Sequence, residues 1–265
     1  MASKVPEVAV AFWATKALTT GMGESASDYL VHRMSPVVAV ALGAVAFTCA
    51  LTVQLRARRY VPWIYWLAVA MVGVFGTMAA DVLHVGFGVP YLASSAFFAV
   101  TLVAVFIFWS RTEGTLSIHS IHTARREVFY WAAVMTTFAL GTAVGDLTAV
   151  TLHLGYLDSG LMFAVVIALP ALAWRLGANP VLTFWVAYIL TRPLRASFAD
   201  WMGVSHARGG LNLGPGPVSL TLAALIIGSV TYVTLTTPHE TATAGPQSSG
   251  RSGIVDGRVV ENQRS

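Results

Sequence analysis

The sequence predicts an all-α membrane protein of about eight transmembrane helices, arranged as four parallel two-helix repeats with cytoplasmic N- and C-termini. Three observations lead there. The chain of 265 residues is 56% hydrophobic and only 11% charged, and its mean hydropathy of +0.69 lies far above that of a water-soluble domain this long. Apolar segments at approximately 6–31, 36–56, 61–84, 90–110, 126–152, 156–175, 180–204 and 215–236 are each long enough to cross a hydrocarbon core of about 30 Å at about 1.5 Å per residue. Finally, Lys and Arg in the short connections are unevenly shared. Lys4, Arg56, Arg58, Arg59, Arg111, Arg125, Arg126 and Arg175 fall on one side, with only Arg33 and Arg208 on the other, which places the richer side in the cytoplasm.

The eight segments are not independent. Trp13, Trp66, Trp131 and Trp185 each follow an aromatic residue (Phe12, Tyr65, Tyr130, Phe184), and each is followed fifteen residues later by an aspartate: Asp28, Asp81, Asp146 and Asp200. Ten residues after the tryptophan stand Gly23, Gly76 and Gly141, with Arg195 in the fourth copy. The next position holds Glu24, Thr77, Thr142 and Ala196. Identical offsets in four copies define repeats at approximately 5–57, 58–111, 124–175 and 178–236, with a cytoplasmic connector at 112–123. Two spans return the chain to the same side, so all four copies share one orientation about an axis along the membrane normal.

Helical rise sets the aspartates roughly 22 Å from the aromatic pairs. If those aromatics lie at the cytoplasmic interface, the four acids share one depth in the outer part of the membrane. The first helix of each unit is rich in small residues, including Gly23, Gly76 and Gly141, which let helices approach closely in lipid. The first helices are therefore expected to form the core, with the more uniformly apolar second helices outside.

Composition also excludes several classes. The pI near 9.5 is explained by loop cations, so no nucleic-acid partner is expected. The first apolar segment is too long and too interrupted by charge for a cleavable signal peptide. A single Cys49 rules out an intrachain disulfide or thiolate cluster. Residues 237–265, rich in Gly, Ser and Thr, are expected to form a disordered cytoplasmic tail. No phosphate-binding glycine loop, HExxH or GxSxG pattern is present, and no nucleophile–base pair is recognisable, so neither an enzyme nor a resident cofactor is expected.

The informative residues are the charges inside the spans: the acids Glu24, Asp28, Asp81, Asp146 and Asp200 against the bases Lys16, Arg192 and Arg195. Each such charge costs commonly about 2.5–3.5 kcal/mol on insertion scales, and such groups usually face a bundle interior where they pair or serve transport. Five acids against three bases leave an excess of two negative charges, which a divalent cation or two protons would balance. Arg195, standing where the other copies have glycine, is expected to plug or neutralise the cluster. Pro193 is expected to kink or break its helix. His32 and His84 follow Asp28 and Asp81 by four and three residues, spacings that share a helix face and suit a borderline divalent metal. His153 and His206 follow the other two aspartates, beyond the expected helix ends. His119, His122, Glu113 and Glu127, with the arginines around them, read as a solvated connector.

KVPEV (4–8), FWATK (12–16), TTGMGE (19–24) and TRPL (191–194), with the repeated aromatic-Trp…Gly…Asp spacing, resemble the bacterial membrane-protein family built from tandem copies of a "repeat of unknown function". The resemblance covers nearly the whole chain except the tail; it implies fold and topology and assigns no activity. From the residues themselves, the expectation is a multi-pass secondary transporter of the bacterial inner membrane. It would move a small cation, a divalent metal foremost, coupled to protons through the intramembrane acids. The alternative is a non-transporting scaffold or sensor whose charges fix helix packing. Membrane lipids are the expected surroundings, and a homo-oligomer is compatible with the composition.

Overall fold

The computed structural model describes residues 3–236; the expected tail lies outside the described residues. The helices are α1 (Val10–Arg33), α2 (Pro36–Arg56), α3 (Pro62–Asp81), α4 (Tyr91–Glu113), α5 (Ala124–Asp146), α6 (Gly155–Val166), α7 (Ala168–Arg175), α8 (Pro180–Gly203) and α9 (Pro215–Thr236), and the described residues contain no strand. Their starts are written locally. Pro36, Pro62, Pro180 and Pro215 each open a helix, where the missing N–H costs nothing. Asn179 caps α8, its Oδ1 accepting from the Val181 and Leu182 amides at 2.9 and 3.2 Å. Gly114, at φ 72°, ends α4 in the left-handed conformation that glycine adopts at little cost.

The four first helices, α1, α3, α5 and α8, form a closed inner ring in which each packs on the next and α8 returns to α1. The second helices lie outside, but each packs chiefly on the first helix of the following repeat: α2 on α3, α4 on α5, α6 and α7 on α8, and α9 on α1. No repeat therefore buries its inner face alone, and closure of the ring completes the core. The expected inner and outer roles hold. Twelve residues of α1 are buried against four of α2, a contrast that lipid-facing outer helices require.

The aromatic pairs lock the ring. Phe12 meets Trp66 at 5.8 Å between ring centroids, Tyr65 meets Trp131 at 5.7 Å, Tyr130 meets Trp185 at 6.3 Å, and Phe184 meets Trp13 at 5.7 Å. Every copy thus touches the next in the same way, at distances where aromatic pairs add about 0.5–1.5 kcal/mol beyond area burial. Trp66, Trp131 and Trp185 are buried between helices.

Three features differ from the sequence reading. α8 runs through Pro193 as one element, and the broken helix is instead the outer one of the third repeat, interrupted at Ile167 just before Pro170. Single π-helical turns, Val82–Gly86 and Leu147–Thr151, follow Asp81 and Asp146, whereas α1 and α8 continue regularly past Asp28 and Asp200. Glu127 is buried, not solvated, and its Oε2 is paired with Lys4 Nζ at 2.6 Å. Gln54 Nε2 donates to the other oxygen of Glu127 at 2.9 Å. That pair straps the segment before α1 across the tryptophan end of the ring, where Val5 is buried beside Tyr65 and Tyr130. Backbone bonds from Lys4 N to Ile121 O (3.3 Å) and Tyr60 N to Ser3 O (3.0 Å) hold it there.

Candidate functional site: a charged pseudo-fourfold axis

Counted from each repeat's tryptophan, positions three, seven, eleven and fifteen residues on are four apart and so stay on one face of the helix. In the ring these faces meet at the axis as successive layers. Just inside the aromatic lock come Lys16, Val69, Val134 and Tyr188, all buried. Tyr65 and Tyr130 bridge through their hydroxyls at 2.5 Å in the lock itself. Lys16 Nζ lies 3.5 Å from the Tyr188 ring centroid and 5.5 Å from that of Phe138, and it is buried without a hydrogen-bond partner among the described residues. The cation–π contacts are its compensation.

The next two layers carry the centre of the site. Thr20, Gly73, Phe138 and Arg192 form one; Glu24, Thr77, Thr142 and Ala196 form the other. Arg192 Nη2 contacts Glu24 Oε2 at 3.0 Å, in an ion pair about 1% exposed on the arginine side and 5% on the glutamate side. The Thr77 and Thr142 hydroxyls donate to the same Oε2 at 3.1 and 3.2 Å and also accept from Arg192 Nη2, the Thr142 bond measuring 3.0 Å. Arg192 Nη1 donates to Thr20 O at 2.9 Å, Nε donates to Phe138 O at 3.3 Å, and the guanidinium lies 4.5 Å from the Phe138 ring centroid. Each nitrogen of the guanidinium thus has an acceptor, which is what a buried ion pair requires to offset its desolvation. The hydrogen bonds to Glu24 all fall on Oε2.

The glycines make room for this arrangement. A Cβ on Gly141 would overlap the Arg192 side chain, one on Gly76 would stand 2.8 Å from Phe138 Cβ, and one on Gly23 would stand 2.7 Å from the Gly73 backbone. Each glycine therefore admits the next repeat's residue seven positions beyond its tryptophan. In the fourth copy Arg195 takes this place, and its side chain is not in the axial cluster but exposed on the flank of the ring. The expected plug is thus corrected: Arg192 alone pairs with an axial acid.

The outermost layer is Asp28, Asp81, Asp146 and Asp200, each within electrostatic reach of others in the set and of Glu24. Asp200 is buried and the other three are half-buried, so this layer is the least enclosed of the four. The sequence thus placed all five acids on one axis. The histidines are not brought in: His32 Nδ1 bonds Asp28 O at 2.6 Å, while His84 Nδ1 bonds Val89 O at 2.8 Å and its ring stacks on Tyr91 at 3.4 Å. His206 likewise bonds Gly210 O at 2.8 Å. Among the described residues no three or more His, Cys, Asp or Glu side chains are grouped so as to hold a metal ion. Sequence reasoning missed Thr77, Thr142 and Thr20 as ligands of the pair, although their alignment with Glu24 and Arg192 was the signal that pointed to them.

Fold and axis together define a helical protein of the multi-pass membrane type, with six helices among the described residues long and apolar enough to cross a bilayer. The chain belongs to the Repeat of Unknown Function (DUF347) family, whose model matches four times in tandem, at residues 11–60, 64–115, 129–177 and 183–238. No curated protein and no solved structure matches the chain.

Proposed function

We propose that this protein is a secondary transporter of the bacterial inner membrane that exchanges a small cation for protons along its pseudo-fourfold axis. All eight repeat helices span the bilayer in this reading, with both termini cytoplasmic. α1 and α8, which carry most of the intramembrane charge, are shielded within the ring. The protein is not an enzyme in this account and needs no resident cofactor.

The observation that carries the reading is the layered axis: four aspartates, three of them half-buried, in the layer next to Glu24 and its single cationic partner. A cation entering the Asp layer exchanges there for protons carried by the carboxyls. It then competes with Arg192 for Glu24, and Thr77 and Thr142 supply neutral oxygens when the guanidinium withdraws. The Tyr65–Tyr130 bridge and the Lys4–Glu127 strap close the other end, as alternating access requires of one face at a time.

The test is cation flux in proteoliposomes across monovalent and divalent cations, with wild type compared with Asp28→Asn and Asp81→Asn. Loss of a saturable flux in both variants is expected; unchanged flux of every cation would overturn the mechanism. The saturated Oε2 of Glu24 favours a second reading, a scaffold whose ion pair fixes helix register. In that case no cation has a saturable effect, and the Asp→Asn changes act on stability alone.

A further inference from the structure

The junction that closes the ring, between α8 and α1, differs from the other three. Its glycine position is Arg195, and beside α9, which packs on both α1 and α8, the broken outer helix interrupted at Ile167 lies against the α8 side. A cavity of about 680 Å³ opens there on the flank of the ring, walled by Trp13 and Ala17 of α1, Pro170 and Trp174 of α7, and Ala187 of α8, with Arg195 in its lining. The volume falls in the range of about 300–1,000 Å³ typical of small-molecule sites. The lining is overwhelmingly apolar, apart from Arg195, Thr183, Thr191 and the Ser117 and His119 end of the connector. The Arg195 side chain makes no hydrogen bond and no ion pair with any described residue, unlike Arg192 three positions earlier.

Arg195 lies roughly 15 Å along α8 from Trp185 and roughly 12 Å from the helix end at Gly203. In the eight-span topology proposed above, that depth is hydrocarbon, where an uncompensated guanidinium is costly and an anion is the natural complement. The planar fork of donors matches a carboxylate in two-point contact. A diacyl lipid would have to draw its headgroup into the core of the membrane to reach it. A single-chain carboxylic acid need not, because in its protonated form it crosses the bilayer uncharged.

We propose that this lateral groove binds a long-chain monocarboxylate, its carboxylate on Arg195 and its chain against the apolar wall of Ala187, Phe184, Pro170 and Trp174. The site requires the span topology but not the transport reading, so the failure of cation flux would leave it standing. Trp13 and Trp174 report on the groove. With the full chain in nanodiscs, 9,10-dibromostearic acid should quench tryptophan fluorescence saturably, above the baseline set by brominated phosphatidylcholine. Arg195→Gln should weaken the apparent affinity about tenfold or more, the loss of one charge-assisted contact. Ala187→Phe, which fills the groove and keeps the arginine, should do the same. Methyl dibromostearate should not saturate. Equal quenching by the ester, saturable quenching by brominated phosphatidylglycerol in place of the acid, or unchanged affinity in both variants would overturn the proposal.

Discussion

The deepest-placed prediction concerns Glu24 and Arg192. Glu24→Gln keeps the shape of the side chain and one acceptor oxygen but removes the only counter-charge within 4 Å of the Arg192 guanidinium. Removing one partner of a buried pair costs about 3–5 kcal/mol. For a chain of this size roughly 2–4 °C of melting temperature accompanies each kcal/mol, so a fall of roughly 6–20 °C in detergent is expected. Arg192→Gln should also be destabilising, because it strands the Glu24 carboxylate and removes the bonds to Thr20 O and Phe138 O. The double variant should be more stable than the sum of the two single losses, since neither charge then remains stranded. Thermal unfolding of the four proteins followed by tryptophan fluorescence measures this directly. A Glu24→Gln shift under about 2 °C, or strict additivity in the double variant, would refute the pairing as the organising contact of the axis.

Other outcomes follow from the same geometry. Gly141→Ala places a Cβ on Arg192, so overpacking of about 1–3 kcal/mol is expected in thermal unfolding, whereas Gly228→Ala, with nothing within 4 Å of the added Cβ, should be neutral or slightly stabilising. Glu127→Gln strands Lys4 at the strap and should lower the melting temperature. It should also raise protease cleavage before α1, an effect that a change elsewhere in the connector, such as His119→Ala, should not reproduce. Tyr65→Phe removes the hydroxyl bridge to Tyr130 and should cost about 1 kcal/mol, read from the same unfolding curves.

Much of the fold was legible in the sequence because four copies of one pattern carried it. The small residues of the Asp-bearing helices pointed to which helices are inner, and the shared offset from tryptophan to aspartate put the four acids at one depth. What the pattern did not reveal lies where copies differ or where contacts run between repeats. In a closed ring the neighbouring repeat offers each tryptophan an aromatic partner, a contact that the pattern within one repeat does not show. Arg195 read as an axial charge by alignment with glycine. A glycine in this ring marks a close approach to the next helix, and a long side chain at such a point has to turn outward. Pro193 read as a kink or a break, and α8 runs through it unbroken while the interruption falls at Ile167, beside the lateral groove. Pairing histidines with aspartates by sequence spacing ignored the nearby carbonyls that the imidazoles bond.

The central claim is that the axial acids exchange a cation for protons, and one measurement addresses it most directly. Proteoliposomes carrying a trapped pH indicator are given a cation gradient, and cation uptake and internal pH are recorded together for wild type, Asp81→Asn and Asp146→Asn. The account predicts saturable uptake with opposite proton movement in wild type, and loss of both in the two variants when the purified proteins remain folded. Absence of saturable uptake of any cation by wild type, or proton-coupled uptake that survives both substitutions, would contradict it.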